Sequence, residues 1–130
     1  MTQEQIHQAF LDTTYKVIST PSFNIKINTI IPETQHLNSW AFLTAWNPLP
    51  KVLSDIENKK RNQQLEGDLK SVSLIYCKAI GISEDEKWSE ESFFIENISK
   101  EQIHFLAVKY GQLAYVHGIK NEKAQLIYTK

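Results

Sequence analysis

Ser39-Trp40-Ala41-Phe42-Leu43-Thr44-Ala45-Trp46-Asn47-Pro48-Leu49-Pro50 decides how this chain is read. From Ser39 to Trp46 nearly every residue is apolar, as in a central strand covered on both faces. Asn47-Pro48-Leu49-Pro50 stops that strand abruptly, because proline has no N–H to give to a ladder. Thr44 and Asn47 are polar side chains at the end of a segment that should be buried. Such groups cost free energy unless they find partners.

Outward from this strand, Phe23 to Ile31 alternates, with Phe23, Ile25 and Ile27 on one face and Asn24, Lys26 and Asn28 on the other. That is a half-buried strand. Ser71 to Ile80 is rich in β-branched and aromatic residues and reads as a third strand. Ser92 to Ile95 is a short fourth, Gln112 to His117 a fifth and Ala124 to Tyr128 a sixth. The last two flank Gly118–Lys123 as a hairpin. Three capping boxes mark three helices: Thr2 with Gln5, Ser54 with Glu57, and Ser99 with Gln102. The spacing predicts helices over about Gln3–Lys16, over Asp55 to Leu69, where Gly67 weakens the end, and after Ser99 up to Gly111. The two strand-helix-strand units (39–79 and 92–117) favour parallel pairing. The expected fold is therefore α+β: one domain over residues 1–130, a mixed sheet of about six strands, and three helices packed on it.

A length of 130 residues suits one domain with a core of its own. The formal net charge of −1 argues against a general nucleic-acid binder, which needs a basic field. Charge is segregated nonetheless. Glu84–Glu101 carries seven acids and two lysines, whereas His104–Lys130 carries four lysines and one acid. Charge runs of this kind usually make solvated faces, with a partner-facing patch as the other reading. Cys77 is the single cysteine, so no internal disulfide forms, and its apolar surroundings read as those of a small hydrophobe. His7, His36, His104 and His117 lack ligand spacing, so neither a metal nor a cofactor is expected. No stretch approaches membrane-spanning length and no basic-then-apolar leader opens the chain. The cytoplasm is the expected compartment, without a membrane or nucleic-acid partner. No motif fixes the oligomeric state.

The second helix is the informative one. On a helical wheel Asn58, Asn62, Leu65 and Leu69 share one narrow sector, with Arg61 at its edge. If the leucines face the sheet, so do the asparagines, toward the helix start. There they should meet Thr44 and Asn47. Ligands of open α/β sheets collect at such places, and the helix dipole with Arg61 would favour an anion. Equally, Asn58 and Asn62 could satisfy backbone of the Asn47–Pro50 loop and simply clamp it. Trp88-Ser89-Glu90-Glu91-Ser92 leads into apolar Phe93-Phe94-Ile95. Strand alternation places Glu91 near the core face, where it could pair with Arg61, the single arginine of the chain. Glu90 takes that place if the phase is reversed. Either carboxylate could serve as a general base, or stand as a structural ion pair or an exposed strand-end charge. Trp88 reads as a lid on the core.

The ordered segments T-A-W-N-P, E-N-x-x-R-N-x-x-L over 57–65, W-S-E-E-S-F-F-I and Y-G-Q-L-A over 110–114 resemble a small bacterial domain-of-unknown-function family. The resemblance runs from about Tyr15 to Tyr128. It implies a short, single-domain, intracellular protein and no particular activity. It points to Thr44, Asn47, Asn58, Arg61, Asn62, Trp88, Glu91 and Gln112. Gln112 either extends the polar cluster or caps the preceding helix.

Three functions follow as expectations. The first is a binding or regulatory domain whose pocket of Thr44, Asn47, Asn58, Arg61, Asn62 and Gln112 takes an anionic or amide-bearing small molecule. The second is a hydrolase or transferase with Glu90 or Glu91 as acid/base and Arg61 as anion holder. The third is a protein-interaction module, which needs an exposed apolar strip or edge strand rather than a cavity.

Overall fold

The computed structural model describes residues 1–48 and 51–130. Leu49 and Pro50, assigned above to the strand-stopping turn, lie outside the described residues. In chain order the elements are α1 (Gln3–Asp12), β1 (Thr14–Val17), β2 (Phe23–Ile25), a 3-10 turn (Pro32–Thr34), β3 (Ser39–Leu43), α2 (Asp55–Ser71), β4 (Tyr76–Ile82), β5 (Ser89–Glu96), α3 (Lys100–Lys109), β6 (Ala114–Ile119) and β7 (Gln125–Tyr128).

The strands form one sheet in the order β2-β1-β4-β5-β3-β6-β7, and every pairing is antiparallel. The fold is α+β as expected, but the mixed sheet of six strands becomes a wholly antiparallel sheet of seven. The reason is interleaving. β3 and β4, joined through α2, do run parallel, but β5 lies between them. β5 and β6, joined through α3, likewise run parallel with β3 between them. Each crossover skips one place, and an antiparallel strand fills it. The segment from β3 to β6 thus has the split β-α-β order of a ferredoxin-like arrangement. α1, β1, β2 and β7 widen it.

The seventh strand is β1. The expected helix over Gln3–Lys16 ends at Asp12, and Thr13 is already extended, its hydroxyl turned back onto the Ala9 carbonyl at 2.7 Å. Thr14-Tyr15-Lys16-Val17 has a β-branched residue at each end and an aromatic between them. Pairing with β2 and β4 on either side, and burial of Tyr15 and Val17, outweigh a modest helical stripe. The strand expected over Phe23–Ile31 stops at Ile25. Asn28 takes a positive φ of 69°, and its N–H goes to the Ala124 carbonyl.

All three capping boxes form. α2 runs past Gly67 to Ser71, and α2 and α3 end alike. At α3 the Gln112 N–H reaches the Ala107 carbonyl and the Gly111 N–H reaches Val108, with Gly111 at φ 67°. At α2 the Leu74 N–H reaches Leu69 and the Ser73 N–H reaches Lys70, with Ser73 at φ 56°. Both are Schellman closures, one with the usual glycine and one with serine.

The sheet separates two apolar clusters. On one face Leu65, Leu69, Ile103, Leu106 and Ala107 of α2 and α3 pack on Ala41, Leu43, Phe93, Ile95 and Tyr115. On the other, Phe10 and Leu11 of α1 join Ile27, Ile31 and Leu37 over Tyr15, Val17, Trp40, Phe42, Phe94 and Val116. Half-buried Cys77 packs against this second cluster, and burial raises its thiol pKa, in keeping with a small hydrophobe.

Candidate functional site

β3 and β5 pair in register up to Leu43 and Phe93 and then part. Past that point side chains take over from the ladder. Asn62 inserts its amide between the two backbones. Its Oδ1 accepts from the Ala45 N–H at 2.8 Å, and its Nδ2 donates to the Glu91 carbonyl at 2.8 Å. The Thr44 hydroxyl donates to the same carbonyl at 2.6 Å and accepts from the Trp46 N–H at 3.0 Å.

One turn nearer the start of α2, Asn58 holds Asn47. Its Oδ1 accepts from the Asn47 N–H, and its Nδ2 donates to Asn47 Oδ1, both at 2.7 Å. Asn47 Oδ1 also accepts from the Leu53 N–H at 2.9 Å, so residue 47 fastens both ends of its loop. Its φ of 43° lies in the left-handed region that asparagine tolerates best after glycine.

Arg61 donates from Nε to the Ala45 carbonyl at 2.7 Å and from Nη2 to the Tyr110 carbonyl. Gln112 Nε2 donates to the Trp46 carbonyl at 3.1 Å and to Tyr110 at 3.3 Å. Every backbone N–H of residues 45–47 therefore ends on a side chain, as do the carbonyls of 45 and 46. Gly111 comes so near the loop that an added Cβ would lie 3.0 Å from Pro48 Cβ. Among the described residues no buried side-chain nitrogen or oxygen lacks a partner.

The structure thus brings together Thr44, Asn47, Asn58, Arg61, Asn62 and Gln112. The two glutamates stand apart. Glu91 enters only through its backbone carbonyl, and its carboxylate is exposed. Glu90 lies on the opposite face of the sheet, as strand alternation requires. It is half-buried, accepts from Trp88 Nε1 at 3.2 Å, and has a pKa raised by burial. The expected Glu–Arg61 ion pair is not formed. Arg61 donates from Nε and Nη2 to carbonyls, and among the described residues the ion pair is Lys109–Asp68 at 2.8 Å. Trp88 is 50% exposed, on Glu90 rather than over the core.

Tyr110 and Asp68 were not legible as part of this arrangement. Tyr110 supplies the carbonyl shared by Arg61 and Gln112, its ring lies 5.9 Å from the guanidinium carbon, and its hydroxyl donates to Asp68 at 2.6 Å. Hydrogen bonds from Lys109 and Tyr110 hold the Asp68 carboxyl below its ordinary pKa. Burial, then Asp68, pushes the Tyr110 phenol above its own. A tyrosine on an apolar helical stripe gives no sequence sign that its carbonyl will serve as an anchor.

Concave surface also lies against α3. A groove of about 400 Å³ is lined by Val72, Leu74, Phe105 and Leu106, with Glu101 and Lys109 at its margin. A second hollow of about 470 Å³ lies on the other side of Phe105, beside Lys100, Glu101 and His104. Among the described residues no group of three or more potential metal ligands converges, and no helix is long and apolar enough to cross a membrane.

Nothing among curated proteins or solved structures matches the chain. A family model does match, over residues 43–115, a narrower span than the motifs suggested but more than half of the chain. That span runs from the end of β3 into β6 and contains every member of the polar cluster. The chain belongs to the family described as Protein of unknown function (DUF3293).

Proposed function

We propose that this domain is a protein-interaction module that works through the outer face of α3 and the groove beside it. The observation that carries this reading is Phe105. It is an aromatic residue 67% exposed in the middle of a helix, standing between two hollows, with Val108 and Val72 each 57% exposed nearby. A folded domain gains nothing by leaving these side chains in water. Aromatic anchors beside grooves are typical of docking surfaces.

The polar cluster supports the same reading from the other side. The hydrogen bonds recorded for it all stay within the domain, most of them on backbone of residues 45–47, 53, 91 and 110, as in a clamp. A ligand seated among Asn47, Asn58 and Asn62 would have to displace hydrogen bonds that hold the β3–α2 loop. Acid/base chemistry has equally little support, because neither glutamate carboxylate is paired with Arg61.

The test is photocrosslinking in cells, with a benzophenone side chain at position 105 and, as control, at Lys60 on the solvent face of α2. A crosslinked protein product of defined mass from position 105 and none from position 60 is expected. Uncrosslinked single chain at both positions overturns the reading.

A further inference from the structure

We infer that the partner seated on this face is a second copy of the same chain, its α3 antiparallel to the first. This rests on the interaction reading above and deepens it.

Glu101, Phe105, Val108 and Lys109 follow one another along the outer side of α3, acid near the start and base at the end. Phe105 stands near the middle of the helix. A two-fold axis beside Phe105 brings Glu101 opposite the partner's Lys109, and Lys109 opposite the partner's Glu101. Such an interface is self-complementary, as a two-fold contact must be. Within its own chain Glu101 has no ion-pair partner among the described residues, and Lys109 is shared with Asp68 at the groove margin. The antiparallel arrangement also sets the positive end of each helix dipole beside the negative end of the other.

The apolar parts complement each other in the same way. Phe105 protrudes, and the groove of Val72, Leu74 and Leu106 lies directly beside it. Under the two-fold, the ring of each copy enters the groove of the other, giving two equivalent aromatic anchors. A helix of ten residues is about 15 Å long, so the contact is small and the association weak.

Sedimentation equilibrium of the purified full chain, from about 1 µM to about 500 µM, tests this in the range of weak association. A concentration-dependent rise toward the mass of two chains is expected. Phe105→Glu should remain monomeric with an unchanged far-UV spectrum. Glu101→Lys and Lys109→Glu should each self-associate at least about tenfold more weakly, since like charges then meet across the axis. An equimolar mixture of those two variants should recover the dimer, because each charge again meets its opposite. A wild-type chain that stays monomeric, a Phe105→Glu dimer as tight as wild type, or a mixture that fails to recover overturns the proposal. Crosslinking of a different protein at position 105, with the purified chain monomeric, overturns the self-pairing and leaves the interaction reading standing.

Discussion

Asn58 grips Asn47 twice, once at its main-chain N–H and once at its side-chain oxygen, both at 2.7 Å. Both residues are buried, and the pair fixes a loop that carries a left-handed turn at residue 47. Asn58→Ala removes both bonds and strands the Asn47 N–H without water. The expected loss is about 3 kcal/mol, the cost of leaving buried polar groups unmade. The urea midpoint measures it. Asn58→Ala with the stability of wild type would show that the cluster does not hold the fold.

Arg61 acts through the shape of its fork, which reaches two carbonyls on separate segments. Lysine keeps the charge but cannot donate in two fixed directions. Arg61→Lys should therefore lose about 1–2 kcal/mol, from one charged hydrogen bond. If Arg61→Lys melts like wild type while Arg61→Ala does not, charge rather than geometry is what matters.

Two helix positions carry residues that a better choice would stabilise. Gly67 lies inside α2 with nothing within 4 Å of an added Cβ, so Gly67→Ala should add about 1 kcal/mol. Ser73 closes the same helix at φ 56°, where a Cβ is unfavourable, so Ser73→Gly should add up to about 1 kcal/mol. The sites are far enough apart in the helix for the gains to add. A melting temperature unmoved by either change would contradict this account of α2.

Gly118 faces Trp40 across the β3–β6 ladder, and an added Cβ would lie 2.0 Å from the indole. Trp40 is buried against Phe94 and cannot retreat freely. Gly118→Ala should cost about 3 kcal/mol through overpacking and alter the near-UV tryptophan signal. Wild-type spectrum and stability would mean that the strands can part at this point.

Glu90 gives a pH signature. Burial raises its folded-state pKa above the ordinary carboxylate value, while the Trp88 hydrogen bond opposes the rise. The folded state then holds its proton to higher pH than the unfolded chain does. Stability from this group is full below the unfolded value of about 4.3 and is lost as pH rises through the folded value. Glu90→Gln should thus be more stable than wild type near neutrality and converge with it below about pH 4. Stability curves that stay parallel across that window would refute it.

Helix starts were the most legible part of the fold, because a capping box is a local chemical bargain that tertiary context rarely overrides. The inward face of α2 was legible for a related reason: Leu65 and Leu69 fix the rotation of the helix and carry Asn58 and Asn62 with them. Strand order was not legible. Residues 39–79 read as a parallel unit because nothing local says that β5, from later in the chain, will lie between β3 and β4. The Thr14–Val17 strand was hidden by its proximity to a helix, since four residues carry too little periodicity to resist that reading. Arg61 was visible as a lone charge, but its partners are carbonyls, which every residue possesses and which no sequence distinguishes.

The strand order also sets a timetable for synthesis. Residues 1–54 leave the ribosome before the rest of the domain, yet among the described residues of that stretch the β1–β2 hairpin is the strand pair that can close. β1 needs β4 on its other side, and β3 needs β5 and β6. Until residues 89–119 have emerged, Trp40, Phe42 and Leu43 have no sheet to join. The nascent chain must therefore carry β3 unpaired until β5 and β6 follow it. A cell that makes this protein has to shield that segment for longer than a fold built from local pairs would require.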